Sequence, residues 1–225
     1  MEKPLYRPDY ASSWALVIGI NDYAISPPLG FARQDAEAFA AVLKTTFGFS
    51  DDKVITLYDR EATCSAIRTA FLRYAEDSVD LDDRIVVFFA GHGHTRTGNR
   101  GEVGYLVPAD GDPSDLSSLL RWDDLTRNAE LISAKHILFI MDACYGGLIF
   151  RRAMKPGSSR FLRSMLQRYT RQAIAAGKAD ETVADSGGPR PGHSIFTGHL
   201  LNALEGGVRS FFVLGSARSA KISAS

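Results

Sequence analysis

A thiol and an imidazole stand at the ends of two apolar runs. In HILFIMDACYGG, residues 136–147, five apolar residues lead into Asp142 and Cys144 just ahead of two glycines; in FFAGHGH, residues 88–94, a similar run leads into His92 and His94. Only a thiolate attacks a carbonyl well, and a free thiol with a pKa near ~8.5 is mostly protonated at neutral pH, so an imidazole that takes its proton raises the reactive fraction. Acyl transfer also needs donors for the developing oxyanion. The flanking Gly93 and Gly146 leave the backbone uncrowded, so the amides of Gly93 and Cys144 are the candidate donors, an effect worth roughly 3 kcal/mol per donor where it has been measured in other enzymes. Functional groups in open α/β sheets gather where strands deliver their carboxyl ends. If these two strands are neighbours, the pair converges across 52 positions of sequence.

Behind these residues lies an alternating pattern. Apolar, β-branched-rich runs at 14–20, 53–58, 84–91 and 135–142, with a weaker one at 171–177, predict strands buried on both faces, as in a parallel sheet. Helices are predicted between them. Ala36, Phe39, Ala40 and Leu43 share one helical face that Gly48 can stop, and Thr63 can cap a second helix with the stripe Ile67, Ala70, Phe71 and Tyr74. A short helix is predicted near 122–131, and a last one starts at Ser194, burying Phe196, Leu200, Ala203 and Leu204 before Gly206 and Gly207. The turn glycines between His94 and Pro108 predict a small β-hairpin inserted after the third strand. The fold class is therefore α/β: a three-layer α/β/α sandwich with a mostly parallel central sheet and right-handed crossovers.

The chain has 225 residues, 45% of them hydrophobic, enough for one sizeable core and a single domain. Lys plus Arg and Asp plus Glu both number 26, so the net charge gives no reason to expect nucleic acid or an anionic membrane as partner. The sequence carries no signal-peptide pattern and no stretch approaching 18 apolar residues, which predicts a cytoplasmic protein. Cys64 and Cys144, its two cysteines, are then expected as free thiols, Cys64 as a small hydrophobe on a helix. Charge is nonetheless uneven. Residues 151–171 carry seven Lys or Arg (Arg151, Arg152, Lys155, Arg160, Arg163, Arg168, Arg171) and no acid, leaving minus seven elsewhere.

FFAGHG followed about fifty positions later by DACYGG resembles the caspase-like peptidases, closer to metacaspases and prokaryotic caspase homologues than to animal caspases. WALVIGINDY resembles that family's first strand, PLGFARQDAEAFAAVL its first helix and HSIFTGHLLNAL its last, so the likeness covers about residues 14–206. It implies that the reaction is endoproteolysis and that His92 and Cys144 are the catalytic pair, with His94 as competitor for the base. It also implies a pocket for the residue before the scissile bond. Asp142 and Asp35 match the metacaspase pocket acids, which implies cleavage after Arg or Lys through a desolvated carboxylate pair. Two positions depart from that pattern, Ala90 where a serine is usual and Ala32 where a cysteine is usual. Asp142 could instead cap the following turn, and Asp35 could be a first-turn helix acid.

The resemblance divides the chain into an N-terminal extension (1–13), a large-subunit-like region (14–150), a basic linker (151–170), a small-subunit-like region (171–207) and a tail (208–225) that does not match the strand expected there. The linker position implies self-cleavage at Arg152, Lys155, Arg160 or Arg163, against the alternative of a solvated basic face. Glu102 and Asp110 lack the run of acids a calcium site of some metacaspases needs, so no obligate metal and no cofactor are expected. His136, His193 and His199 are read as structural or exposed. The expected partners are protein or peptide substrates with a basic residue before the scissile bond, and the expected state is a monomer or weak dimer. Two rival functions remain at this stage: a latent caspase-fold binding module, and a zinc-dependent hydrolase using His92, His94 and Cys144, whose i, i+2 histidines do not by themselves make a tetrahedral site.

Overall fold

The computed structural model describes residues 10–76, 79–99, 101–143, 170–176 and 188–206. In chain order these form β1 (Ser13–Gly19), α1 (Ala32–Phe47), β2 (Val54–Tyr58), α2 (Cys64–Glu76), β3 (Arg84–Ala90), β4 (Gly93–Gly98), β5 (Gly101–Leu106), β6 (Leu120–Arg121), α3 (Trp122–Asn128), β7 (His136–Asp142), β8 (Thr170–Ala175) and α4 (Ile195–Leu204). Cys144, the linker with Arg152, Lys155, Arg160 and Arg163, and the tail lie outside the described residues.

Five parallel strands form the central sheet in the order β2-β1-β3-β7-β8. The apolar runs become strands here because alternate residues meet a hydrophobic layer on each side. Leu16, Ile18, Val87, Phe89, Phe139 and Met141 face α2 and α3, where Phe71 and Trp122 pack against Phe139 with ring centroids 5.9 and 5.2 Å apart. Ala15, Val17, Val86, Phe88 and Ile140 face the other layer, where Phe39 of α1 stacks on Phe88 at 4.5 Å and Phe196, Leu200 and Leu204 of α4 close the cluster. Each buried aromatic contributes roughly 1.5–3 kcal/mol of transfer free energy. The result is the three-layer sandwich.

The helix boundaries follow local chemistry. Gly48 takes the left-handed conformation at φ 69° and its N–H bonds Leu43 O, ending α1 as a glycine stop should. Thr63 Oγ1 accepts the Ala66 amide at 3.1 Å and caps α2. The helix expected over 122–131 is α3 continued by a 3₁₀ turn, Ala129–Leu131. The insertion after β3 is larger than a hairpin: β4 and β5 pair antiparallel, and β6 joins them as a third strand. On α4 one expected burial is wrong. Ala203 is exposed and Leu201 is fully buried, because Thr197 and Gly198 turn that helix's inner face one residue away from the stripe read in the sequence. No helix among the described residues is long and apolar enough to cross a membrane.

Candidate active site

All five parallel strands end at one edge, and the chain moves outward to opposite sides of β1, through β2 and through β3. The crevice at that reversal point lies between the loops after β1 and after β3. Residues 20–31 and 91–92 occupy it.

His92 is fixed there by two groups from the β1 loop. Its backbone N–H donates to Tyr23 Oη at 2.8 Å, and the two rings lie 4.8 Å apart. Its Nε2 lies 2.8 Å from the Pro27 carbonyl oxygen. A carbonyl only accepts, so this nitrogen carries the hydrogen, and in the neutral ring Nδ1 is the nitrogen with the lone pair. Gly91 is required for the arrangement, since a Cβ there would stand 2.6 Å from Tyr23 Oη. Next along the chain, the Val107 amide donates to His92 O at 3.0 Å, which makes His92 and Val107 a bonded pair of the antiparallel ladder. Gly93 and Leu106 are then the alternate, non-bonded kind, and the Gly93 N–H faces away from β5. His94 points elsewhere, with its ring 6.3 Å from that of Tyr105 on the hairpin.

The loop that holds His92 is itself clamped by Asp59, the only described non-glycine residue with positive φ, at 45°. Asp59 Oδ1 accepts the amides of Asn21 at 2.8 Å and Asp22 at 3.2 Å, and Oδ2 accepts Arg33 Nη1 at 2.9 Å. Asn21 in turn caps α1 from outside, its Oδ1 accepting the Arg33 amide at 3.1 Å. Burial alone would push the Asp59 pKa up, but the Asn21 amide, the Arg33 guanidinium and the Asp22 amide outweigh it and hold it below the usual carboxylate range. A depressed folded pKa stabilises above the unfolded value of about 3.9 and loses that contribution as pH falls through the folded value. The β1 loop should therefore loosen below about pH 4. Asp59→Ala strands two amides and keeps a side chain in the left-handed region, an expected loss of about 3 kcal/mol. Asp59→Asn, which tolerates that region and keeps an acceptor, should lose about half as much and lack the acid-dependent step. Urea titrations of wild type and both variants at pH 3.5 and 7 check this.

The two acids expected in the substrate pocket come together around one residue. Asp142 ends β7 in register with Ala90 of β3, and the Gly91 amide donates to its backbone oxygen at 3.2 Å. Its side chain is 7% exposed, and Oδ2 accepts Ser194 Oγ and Thr197 Oγ1, each at 2.5 Å. Asp35, on the first turn of α1, is 1% exposed; its Oδ2 accepts the Ser194 amide at 3.2 Å and its Oδ1 lies 2.6 Å from His193 Nδ1. Burial raises the Asp35 pKa, opposed by the contacts with His193 and Ser194. His193, read as structural, is thus a partner of Asp35, while His199 is exposed and His136 bonds Tyr10 Oη at 2.6 Å. Ala90 and Ala32, the two departures, are buried at 1% and 5%.

Of the remaining candidates, Cys64 is half-buried, with its thiol pKa pushed up chiefly by burial, unlike an activated nucleophile. Asp110 Oδ1 accepts the Cys64 amide at 2.8 Å and Glu102 is exposed on β5. No three His, Cys, Asp or Glu side chains gather as a metal site among the described residues; Cys144, the third group of the zinc alternative, lies outside them. A cleft of about 210 Å³ between Tyr10, Arg84, His136 and Thr170 sits at the opposite, amino-terminal end of the strands, away from His92 and both acids.

A family model for the caspase domain (Peptidase_C14) matches residues 12–213, nearly the whole chain. The chain belongs to the caspase-domain peptidase family. Its caspase domain is similar in fold to protein GSU0716 from Geobacter sulfurreducens, known from a crystal structure, with a TM-score of 0.62 and 20% sequence identity over 88% of this chain and 83% of that one. Comparison with curated proteins finds no match. Within the caspase domain, Tyr23 and Pro27 hold His92 and Asp59 holds the β1 loop, contacts that the sequence did not reveal. A backbone carbonyl and a clamp from another strand end leave no mark in residue type; the Pro27-Pro28 pair after an Asn-Asp-Tyr turn was the one visible hint of a rigid loop.

Proposed function

We propose that this caspase-domain protein is a cysteine endopeptidase in which His92 activates Cys144 and the pocket acids Asp142 and Asp35 select a basic side chain. The observation that carries the reading is the imidazole: with Nε2–H committed to Pro27 O, Nδ1 is the atom able to take a thiol proton, and it stands at the end of the strand paired in register with β7, which leads into Cys144 two residues past Asp142. In the reaction, His92 Nδ1 takes the Cys144 proton and the sulfur forms a bond to the peptide carbonyl carbon. The negative oxygen of the tetrahedral intermediate accepts from the Gly93 and Cys144 amides. On collapse the C–N bond breaks and the imidazolium returns its proton to the leaving amine, giving a thioester. Water, deprotonated by the same imidazole, then releases the acid and regenerates the thiol. Proteins or peptides are the substrates, and no cofactor is involved.

Preference for Arg or Lys is supported by two nearly dry carboxylates beside the nucleophile's strand, which attract a guanidinium or ammonium and repel an acidic side chain. Self-processing at Arg152, Lys155, Arg160 or Arg163 is the corresponding reading of the basic linker, because the pocket would accept those residues. A panel of fluorogenic peptides ending in Arg, Lys or Asp, run on wild type and Cys144→Ala, tests all three claims. Turnover of the Arg and Lys peptides by wild type alone is expected, blocked by iodoacetamide and indifferent to chelators, together with linker fragments by mass spectrometry that Cys144→Ala lacks. Preference for Asp removes the pocket assignment; no turnover at all supports the latent binding module.

A further inference from the structure

We propose that His193 is a specificity-determining residue: it is a counter-ion that the chain itself supplies to Asp35, and a substrate's basic side chain must discharge it, with release of a proton, to use that acid. The inference rests on the reading of Asp35 as a receptor for a basic side chain. Asp35 is 1% exposed, its Oδ1 lies 2.6 Å from His193 Nδ1, and its Oδ2 accepts the Ser194 amide at 3.2 Å. A carboxylate and an imidazole this close titrate as one unit. The bond keeps a hydrogen on Nδ1 in either state, so the proton that comes and goes is the one on Nε2. With both ring nitrogens protonated the pair is neutral; with Nε2 bare it carries a full negative charge. The His193 side chain is 14% exposed, so the imidazole is the pair's contact with solvent protons.

The loop before α4 is built to hold the ring there. Gly192 takes the left-handed conformation at φ 78° directly after Pro191, and Arg190 Nη1 reaches Glu205 Oε2, just past the far end of α4, at 3.0 Å. The charged groups around the pair are Asp142 at the end of β7, whose Oδ2 accepts the Ser194 hydroxyl, Arg190 with its partner Glu205, and His199, exposed on α4. A carboxylate has about four acceptor positions, so Asp35 can take a guanidinium with the imidazole still in place. An imidazolium and a guanidinium against one dry carboxylate repel each other, however, and only the histidine can give up its charge. On binding, the substrate's cation bonds to Asp35, the His193 Nε2–H bond breaks and the proton passes to water. Preference for a basic side chain therefore strengthens as pH rises, until the pair has lost its proton.

Binding of a peptide ending in Arg, and of its uncharged citrulline counterpart, to the Cys144→Ala protein tests this. Calorimetry in buffers of different ionisation enthalpy counts the protons released, over about pH 5.5–8, the range in which histidines ordinarily titrate. At the acid end the Arg peptide should release about one proton more than the citrulline peptide, and the Arg-over-citrulline affinity ratio should climb about tenfold per pH unit before levelling. His193→Gln, whose side-chain amide can still donate to Asp35, should lose the extra proton and most of that pH dependence. If His193→Gln folds poorly, the unsubstituted position gives a second readout: the ¹⁵N resonance of His193 Nε2 should titrate at lower pH with the Arg peptide bound than with the citrulline peptide bound. Equal proton counts for the two peptides, an unmoved ¹⁵N titration, or a His193→Gln variant with the unsubstituted pH profile and only a lowered Tm overturns the proposal and leaves His193 as a tie between the loop and α1. A preference for Arg that is present but flat with pH sinks this proposal and leaves the basic pocket standing. No preference for Arg over citrulline at any pH overturns the basic-pocket reading itself, and this proposal with it.

Discussion

Gly19→Ala is expected to destabilise the fold by about 3 kcal/mol, at the upper end of what overpacking costs. Gly19 is the last residue of β1, where α1 starts across the sheet. A Cβ there would stand 2.5 Å from both the Ala32 carbonyl oxygen and Ala36 Cβ, and 3.0 Å from Arg33 Cα. Two of those atoms are backbone and the third is a methyl without rotamers, so no side chain can swing aside. Nor can the helix start retreat easily. The Arg33 amide is held by Asn21 Oδ1, the Leu29 amide by Asn21 O, and Ala36 and Phe39 are buried against β1 and β3. Relief means lifting α1 off the sheet and opening the layer that stacks Phe39 on Phe88. For a chain of this size the loss corresponds to a Tm lower by roughly 10 °C. Gly48→Ala is the control: its φ of 69° strains an alanine, yet nothing lies within 4 Å of the added methyl, so the cost should be about 1 kcal/mol. Thermal melts of the two variants should separate clearly; equal shifts would mean that α1 does not approach β1 so closely.

The same close approach explains which parts of the molecule could be read in the sequence. Continuous apolar runs such as RIVVFFA and HILFIMD mark β3 and β7 because both faces of those strands are covered, and Phe71 and Phe39 fall on helix faces with the period the layers demand. The edge strand β8 is weaker in sequence because Gln172 and Ile174 face outward, Ile174 at 44% exposure, and need not be apolar. His92 and Asp142 could be placed at strand ends because each follows an apolar run in the sequence, whereas Asp35, on the first turn of α1, was singled out only through the family resemblance. What holds them was not legible. Pro27 acts through its carbonyl, Asp59 through a loop that begins 38 residues before it, and His193 meets Asp35 across 158 positions. Such contacts are set by which strand ends become neighbours in the β2-β1-β3-β7-β8 order, and neighbour order is a tertiary fact. Leu201, not Ala203, is buried for the same reason, since α4 is also tied to Asp142 by the hydroxyls of Ser194 and Thr197.

The division of labour within the His92 ring predicts the largest effect on activity. Glutamine at position 92 can still donate a side-chain N–H toward Pro27 O, and its backbone amide can still reach Tyr23 Oη, but it has no group that takes a proton from a thiol. His92→Gln should therefore keep the loop in place and lose the base. General-base catalysis contributes about 10²- to 10⁴-fold, so kcat should fall by roughly 10³ with KM for the Arg peptide little changed. In the proposed dyad the thiol and the imidazole act as one unit, so the His92→Gln and Cys144→Ala double variant should be no worse than Cys144→Ala alone. His94→Gln tests the competitor. Its ring packs on the hairpin by Tyr105, so activity should stay within about threefold of wild type, the scale of a modest packing change. The ring itself offers a direct check, because ¹⁵N spectra of wild type should show the neutral form of His92 as the tautomer with its proton on Nε2. A ring protonated on Nδ1 instead would leave that nitrogen no lone pair for a proton, and retention of more than about a tenth of wild-type kcat by His92→Gln, less than 1.4 kcal/mol in barrier, would move the base elsewhere.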